Sequence, residues 1–246
     1  MEKLLALKDE WADFVAEDGY TCDLCGKEIF SYQDSRFCGD CQREFKPVGK
    51  LSCPVCGRKT IAFGVCLTCK QNRPIFDRGV TAYPFEGAAA RAVNLLKNGK
   101  RYLCKQLAKA LYLRALETGA LTDISPENTL VICVPLGDKK LAQRGYNQAE
   151  ALSKEFAVLA RLPMEQNALK KTREVAEQKH SDAAKRQENA FGAYRVSKRK
   201  AVRGKTVLLI DDIMTTGATG SACARALKMA GAKRVLFLTL AATNER

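Results

Sequence analysis

The chain has 246 residues, 46% apolar and 28% charged, enough for one sizeable core and a small accessory domain. No apolar run reaches the roughly 20 residues needed to cross a bilayer, so membrane insertion is not expected. The net charge is +14, yet residues 1–80 hold equal numbers of basic and acidic side chains, so the whole excess falls on 81–246 and favours a phosphate-bearing partner there.

At the start of the chain, Leu4, Leu7, Trp11 and Val15 recur at spacings of three and four and predict an amphipathic helix over 1–19. The same segment carries Glu2, Asp9 and Glu10 and lacks the apolar stretch of a secretion signal, so a cytoplasmic location is expected.

Residues 20–74 are dominated by Cys-x-x-Cys pairs: Cys22/Cys25, Cys38/Cys41, Cys53/Cys56 and Cys66/Cys69. Little periodic apolar pattern accompanies them, so something other than a hydrophobic core must hold the segment together. In a chain without an export signal, thiolate ligation of metal is the natural reading, and two such knuckles complete one tetrahedral four-cysteine site. Gly26 and Gly57 follow the second cysteine of their knuckles, where a positive φ is often needed. The spacing predicts two structural Zn2+ sites in a double zinc ribbon, paired in tandem (22/25/38/41 and 53/56/66/69) or interleaved. The other cysteines, Cys104, Cys133 and Cys223, stand in apolar contexts and read as core.

Asn72, Arg73 and Pro74 mark an expected boundary, and 75–246 reads as an α/β domain. Strands are expected at 81–85, 129–134, 190–196, 206–210 and 235–241. Helices are expected at 88–96, 102–116, 147–160 and 219–230. Strands alternating with helices imply a parallel sheet with crossover connections. Residues 170–190 are polar and aperiodic and read as a long mobile loop. Residues 170–205 carry 12 basic and four acidic side chains.

The apolar run Val207 to Ile210 ends in Asp211 and Asp212, and a Thr/Gly turn then leads into a helix. Ligands of open α/β sheets bind at the carboxyl ends of strands. Unpaired N–H groups at a helix start suit a dianionic phosphate. Gly217 allows close backbone approach, Thr215, Thr216 and Thr219 add hydroxyls, and paired acids suit two ribose hydroxyls. Arg144, Asn147 and Gln148 open another helix and either clamp a pyrophosphate or, for Asn147, simply cap it.

The block from Val207 to Thr219 resembles the thirteen-residue signature of type I phosphoribosyltransferases at every position. That resemblance implies a type I phosphoribosyltransferase-like parallel sheet flanked by helices. It also implies that Asp211 and Asp212 hold the ribose of phosphoribosyl pyrophosphate while Thr215, Thr216, Gly217, Ala218 and Thr219 wrap its 5-phosphate. Mg2+ would be held mainly by the ligand's own oxygens. Where 6-oxopurine transferases place a carboxylate, this chain has Thr215, which argues against hypoxanthine or guanine as acceptor.

Arg144-Gly145-Tyr146-Asn147-Gln148, then Arg186, Asn189 and Gly192-Ala193-Tyr194, with the cysteine segment before them, are similar to the ComF family of competence-associated proteins. In that family Pro135-Leu136 stands where the pyrophosphate loop lies. Lys171 and Val175-Ala176 depart from its usual Arg and Thr-Pro. The resemblance implies a role in handling single-stranded DNA during natural transformation, with a DNA-uptake helicase as a partner. Arg195, Lys198, Arg199, Lys200 and Arg203 would contact the backbone, and Tyr146, Phe191 and Tyr194 are candidate stacking residues. The alternative is an active transferase joining ribose 5-phosphate to a base, although no base-specificity segment is recognisable. His180, alone of its kind, falls in the basic loop and carries no catalytic assignment.

Overall fold

The apolar runs of the second half assemble into a four-stranded parallel sheet in the order β1-β6-β5-β2. Its strands are β1 (Arg78–Pro84), β2 (Thr129–Cys133), β5 (Thr206–Met214) and β6 (Arg234–Ala242). The computed structural model describes residues 21–29, 35–172 and 192–244, so the expected helix over 1–19 lies outside the described residues. The central strands β5 and β6 are buried on both faces, as continuous apolar runs in a parallel sheet require.

Two short helices, α1 (Gly39–Glu44) and α2 (Leu67–Gln71), lie in the cysteine segment, and helices α3 (Gly87–Lys97) and α4 (Leu103–Glu117) connect β1 to β2. Helices α5 (Asp138–Arg144) and α6 (Gln148–Ala160) follow β2, and α4 packs against α6, β1 and β6. A four-residue turn, α7 (Arg199–Val202), precedes β5, and α8 (Ala218–Met229) joins β5 to β6. A small antiparallel sheet of β3 (Leu169–Lys171) and β4 (Tyr194–Val196) lies against α8, with Lys171 opposite Tyr194.

Most elements stand within three residues of their expected places, and the exceptions have local causes. The loop expected from residue 170 begins as a strand, because Leu169 is buried and pairs with Val196 while two lysines mask its pattern. The remainder of that loop, with His180 and Phe191, lies outside the described residues. Strand β1 begins at Arg78, earlier than expected, because Gly79 serves close packing. A Cβ there would stand 2.5 Å from the Cys56 carbonyl oxygen. Helix α5 was not expected, since its one large apolar residue, Leu141, is exposed and gives no amphipathic period.

The chain divides into two compact units, Met1–Phe45 and Lys46–Arg246. The division differs from the expected boundary near residue 74. Cysteines 53, 56, 66 and 69 are buried in the same apolar cluster as Val207, Leu209, Leu227 and Phe237. The second ribbon is therefore part of the α/β unit's core. Backbone bonds join them directly, from Gly79 N–H to the Val55 carbonyl at 2.7 Å and from Val48 N–H to the Ala82 carbonyl at 2.9 Å.

Candidate phosphate-binding cleft and metal centres

The cleft arises from a mismatch in strand length. Strand β2 pairs with β5 only as far as Cys133 opposite Ile210, and a last bond runs from Val134 N–H to the Ile210 carbonyl. Strand β5 continues four residues further, paired on its other side with β6 up to Met214 opposite Ala242. Asp211 and Asp212 therefore lie within the strand, not after it, on an edge that β2 has already left. Acids are poor strand formers, which is why the sequence suggested that the strand stops at Ile210.

The two carboxyl groups act on each other and reach the same cleft, each with further neighbours of its own. Asp212 faces α3, where Lys97 Nζ stands 3.6 Å from its Oδ2. That oxygen is buried and has no hydrogen-bond partner among the described residues. Asp211 lines the cleft together with Tyr194. Burial first, and the Asp212 carboxylate second, push the Asp211 carboxyl well above the usual carboxylate range. A pair of acids held this close favours cationic or hydroxyl partners.

Beyond β5 the chain turns through Thr215, Thr216 and Gly217 into α8. Gly217 is the N-cap with φ +80°. A Cβ there would find its nearest neighbours at 3.8 Å, so the left-handed backbone, and not crowding within the protein, requires glycine. The Thr216 hydroxyl accepts from the Ala218 N–H at 3.3 Å, and the first intrahelical bond is from Ser221 to Gly217. The N–H groups of Thr219 and Gly220 precede it in a first turn that offers no intrahelical acceptor. Gly220 was not singled out in the sequence, yet a Cβ there would stand 2.5 Å from Phe237 Cε1, so it sets how closely α8 lies on the sheet.

A cavity of about 240 Å³ opens in front of Asp211, Asp212 and Thr219. Its far wall is Pro135, Leu136, Gly137, Arg144, Asn147 and Gln148, so both predicted halves of the site meet across one space. Thr215, Thr216, Gly217 and Ala218 form the adjoining turn and do not line this cavity. Asn147 does cap α6, accepting from Ala149 N–H at 3.0 Å, and its amide nitrogen donates to the Val134 carbonyl at 3.0 Å. Both ends of that side chain are thus engaged in holding the loop after β2 to α6. Gln148 is 2% exposed, lines the cavity, and has an amide nitrogen without a partner among the described residues.

Sequence reasoning missed Lys97 and Lys140 as cavity residues and gave Lys171 and Tyr194 no place in it. Lys97 ends α3 just before Asn98 and Gly99, where a cation reads as an ordinary helix terminus, and nothing in sequence relates it to residue 212. Tyr146 is corrected in the other direction. It is buried, its hydroxyl donates to the Leu96 carbonyl, and Arg101 lies 4.2 Å over its ring. The ring is core and anchors the end of α3 that carries Lys97, so it is closed to a stacking base.

The basic residues expected to contact nucleic acid occupy a different place. Lys198, Arg199, Lys200 and Arg203 are exposed around α7, before β5 begins. Lys198 pairs with Glu165 at 2.5 Å and Arg199 donates to the Met229 carbonyl at 2.9 Å. Strand β5 has nine residues, so at ~3.3 Å per residue this cluster lies on the order of 20 Å from the acids. Arg195, exposed on β4, is the member nearest the cavity, next to Tyr194.

The eight knuckle cysteines gather into two groups, Cys22/Cys25/Cys38/Cys41 and Cys53/Cys56/Cys66/Cys69. This is the tandem arrangement, one group in each compact unit. Within each group the sulfurs lie within 4.8 Å of one another, with Cys25–Cys38 at 3.7 Å and Cys56–Cys66 at 3.8 Å. A tetrahedral ion with bonds of ~2.3 Å sets its sulfurs roughly 3.8 Å apart, so both groups fit zinc. Gly26 and Gly57 do adopt positive φ, +72° and +76°. Of the remaining cysteines, Cys104 and Cys223 are buried and Cys133 is partly so. Burial pushes the thiols of Cys104 and Cys133 up to about 12, which makes them inert packing groups.

Residues 123–246, half of the chain, match the model of the phosphoribosyl transferase domain. The DNA utilization protein YhgH of Escherichia coli O157:H7 is 28% identical over 208 residues, covering 84% of this chain and 90% of that protein. Competence protein F of Haemophilus influenzae is 26% identical over 230 residues, 92% of each. Competence protein ComFC of Streptococcus pneumoniae is 27% identical over 237 residues, covering 89% and 98%. A solved structure of the allosteric regulatory enzyme of purine biosynthesis is 23% identical over 57% of this chain and 26% of that one, with a TM-score of 0.38. With its parallel sheet, its cleft at the end of β5 and its paired cysteine clusters, the chain belongs to the phosphoribosyl transferase domain family, as a member of the ComF type.

Proposed function

We propose that the chain binds phosphoribosyl pyrophosphate with Mg2+ in the cleft at the end of β5, and that it serves DNA uptake by handling single-stranded DNA. The observation that carries the first part is the position of Asp211 and Asp212 on the strand edge left open by β2, beside a phosphate-suited helix start and opposite a cationic wall. In this reading the acids accept from the ribose hydroxyls. The 5-phosphate rests on the turn 215–219 and the first N–H groups of α8. Arg144, Lys97, Lys140 and Lys171 supply positive charge for the pyrophosphate, and the unpartnered Gln148 amide supplies a buried donor. Mg2+ would be held largely by the ligand's oxygens, with Asp211 and Asp212 nearby, and would neutralise charge on the pyrophosphate.

The part concerning DNA rests on the names of the relatives, DNA utilization and competence proteins, and on the exposed basic surface around α7. Its distance from the cleft means that the two ligands would not compete for one surface. A second reading, transfer of ribose 5-phosphate to a base, is favoured by one observation. The β3–β4 pair stands beside the cavity and lines it with Tyr194 and Lys171, which is the kind of wall that could hold a planar acceptor. Thr215 in place of a carboxylate keeps 6-oxopurines out of that reading.

Titration calorimetry with magnesium-loaded phosphoribosyl pyrophosphate tests the first part. Native protein should bind, and Asp211→Asn/Asp212→Asn should bind at least about tenfold more weakly, as expected for loss of two charged hydrogen bonds. Equal heats for the two proteins would remove the acids from the site. Release of pyrophosphate with a panel of bases would establish the second reading beside the first.

A further inference from the structure

Resting on that reading of the cleft, we infer that Arg58, from the second cysteine ribbon, is a positioning residue for the phosphate-binding turn. Through it, the ribbon of Cys53, Cys56, Cys66 and Cys69 sets the affinity for the sugar's 5-phosphate. Arg58 follows the Cys53–Cys56 knuckle by two residues and is 3% exposed. Its guanidinium crosses the core to donate to the Thr215 carbonyl at 2.6 Å and to the Thr243 carbonyl at 3.3 Å. The first acceptor lies in the phosphate turn and the second just after β6. The Thr243 N–H in turn donates to the Met214 carbonyl at 3.0 Å, and its hydroxyl donates to the Thr215 carbonyl at 3.4 Å. Arg58 thus closes a small net that holds the strand end and the turn together.

The consequence follows from peptide geometry. In a trans peptide the carbonyl and the next N–H point in opposite directions. Holding the Thr215 carbonyl toward the ribbon fixes the Thr216 N–H the other way. Released, that peptide could rotate and present an oxygen where an anion needs a donor. The buried guanidinium also places a permanent positive charge behind the turn. Lysine cannot reproduce the fork that spans two carbonyls.

The knuckle that carries Arg58 is itself fixed in register. A Cβ on Gly57 would stand 2.7 Å from the Gly79 carbonyl oxygen, and one on Gly79 would stand 2.5 Å from the Cys56 carbonyl oxygen. Thr81 Oγ1 donates to the Cys56 carbonyl at 3.4 Å. Backbone lies on backbone here, so the four thiolates, the knuckle and Arg58 move together or not at all. The second cysteine group fits zinc, and its metal would keep this knuckle in the shape that delivers Arg58.

The test uses the full chain, loaded with zinc, and two separate probes: ribose 5-phosphate for the turn and magnesium pyrophosphate for the opposite wall. Arg58→Gln should weaken ribose 5-phosphate by about tenfold or more, the effect of a lost charged hydrogen bond, and leave pyrophosphate affinity within about twofold. Arg58→Lys should fall between, and if Arg58→Gln does not fold, Arg58→Lys replaces it, with ribose 5-phosphate weakened about threefold or more and pyrophosphate affinity within about twofold. Amide hydrogen exchange at Thr216 to Thr219 should speed up in step with the loss. Unchanged ribose 5-phosphate affinity, or an equal fall for both probes, would overturn the inference and leave Arg58 a structural strut. If native protein binds neither probe, the reading of the cleft itself has failed, and the inference falls with it.

Discussion

Replacing Gly220 by alanine tests how α8 is seated on the sheet. The added Cβ would stand 2.5, 2.6 and 2.9 Å from three atoms of the Phe237 ring, against a comfortable separation of roughly 3.5–4.0 Å. The ring cannot turn away, because Phe237 is 1% exposed and packs on Phe76 with ring centroids 5.2 Å apart. The helix must therefore lift by about 1 Å, and overpacking of this kind costs ~1–3 kcal/mol. For a unit of this size that is a fall in melting temperature of roughly 2–12 °C. Lifting the first turn also moves the N–H groups of Thr219 and Gly220, so phosphoribosyl pyrophosphate should bind several-fold more weakly. Thermal unfolding followed by circular dichroism reads the first effect and calorimetry the second. Phe237→Leu in the same chain should recover part of both, giving a coupling of at least about 1 kcal/mol between the two sites. A Gly220→Ala protein as stable as the native one, with no coupling to Phe237, would refute this seating of the helix.

Asp211→Asn should stabilise the ligand-free protein at neutral pH while weakening the ligand. The Asp211 carboxyl is pushed up by burial and by Asp212, so its contribution to stability is full below the unfolded value near pH ~3.9 and is lost as pH rises through its folded value. The melting-temperature advantage of Asp211→Asn should therefore shrink as pH is lowered from 7 toward 4, and a constant advantage would contradict the assignment. Chelating zinc should lower the stability of the α/β unit as well as that of the first ribbon, because cysteines 53, 56, 66 and 69 belong to its core. An unchanged melting transition for that unit would show that the metal is not needed there. Neutralising Lys198, Arg199, Lys200 and Arg203 together should weaken single-stranded oligonucleotide binding and flatten its dependence on salt, while phosphoribosyl pyrophosphate affinity stays the same. A parallel loss of both would contradict their separation along β5.

Much of the site was legible because its chemistry is local. The acids, the threonines and Gly217 fall within thirteen consecutive residues, and their placement at strand end, turn and helix start follows from that stretch alone. The cysteine groups were legible for the same reason, since each knuckle carries its own spacing. What escaped notice lies across the fold. Lys97 meets Asp212 only because α3 ends above the sheet, and Lys171 and Tyr194 meet the cleft only because β3 and β4 pair beside α8.

Glycines were legible where a turn called for them and not where packing did. Gly26 and Gly57 follow from local backbone demands, Gly217 was read as allowing close approach and in the structure takes a left-handed turn, and Gly79 and Gly220 are fixed by a carbonyl and a ring that approach from elsewhere. The expected break near residue 74 treated the cysteine segment as one domain. Arg58, Gly57 and the buried cysteines of the second ribbon explain why that ribbon joins the α/β unit instead. No composition shift within 46–74 could have marked the difference, because the contacts that make it are to residues 79, 215 and 243.

A crystal structure of the native chain with magnesium and phosphoribosyl pyrophosphate tests the central claim most directly. The ribose hydroxyls should lie within hydrogen-bond distance of Asp211 and Asp212, with the 5-phosphate against residues 215–219 and the pyrophosphate toward Arg144 and Lys97. Density for the ligand elsewhere, or an apo cleft at saturating ligand, would contradict it.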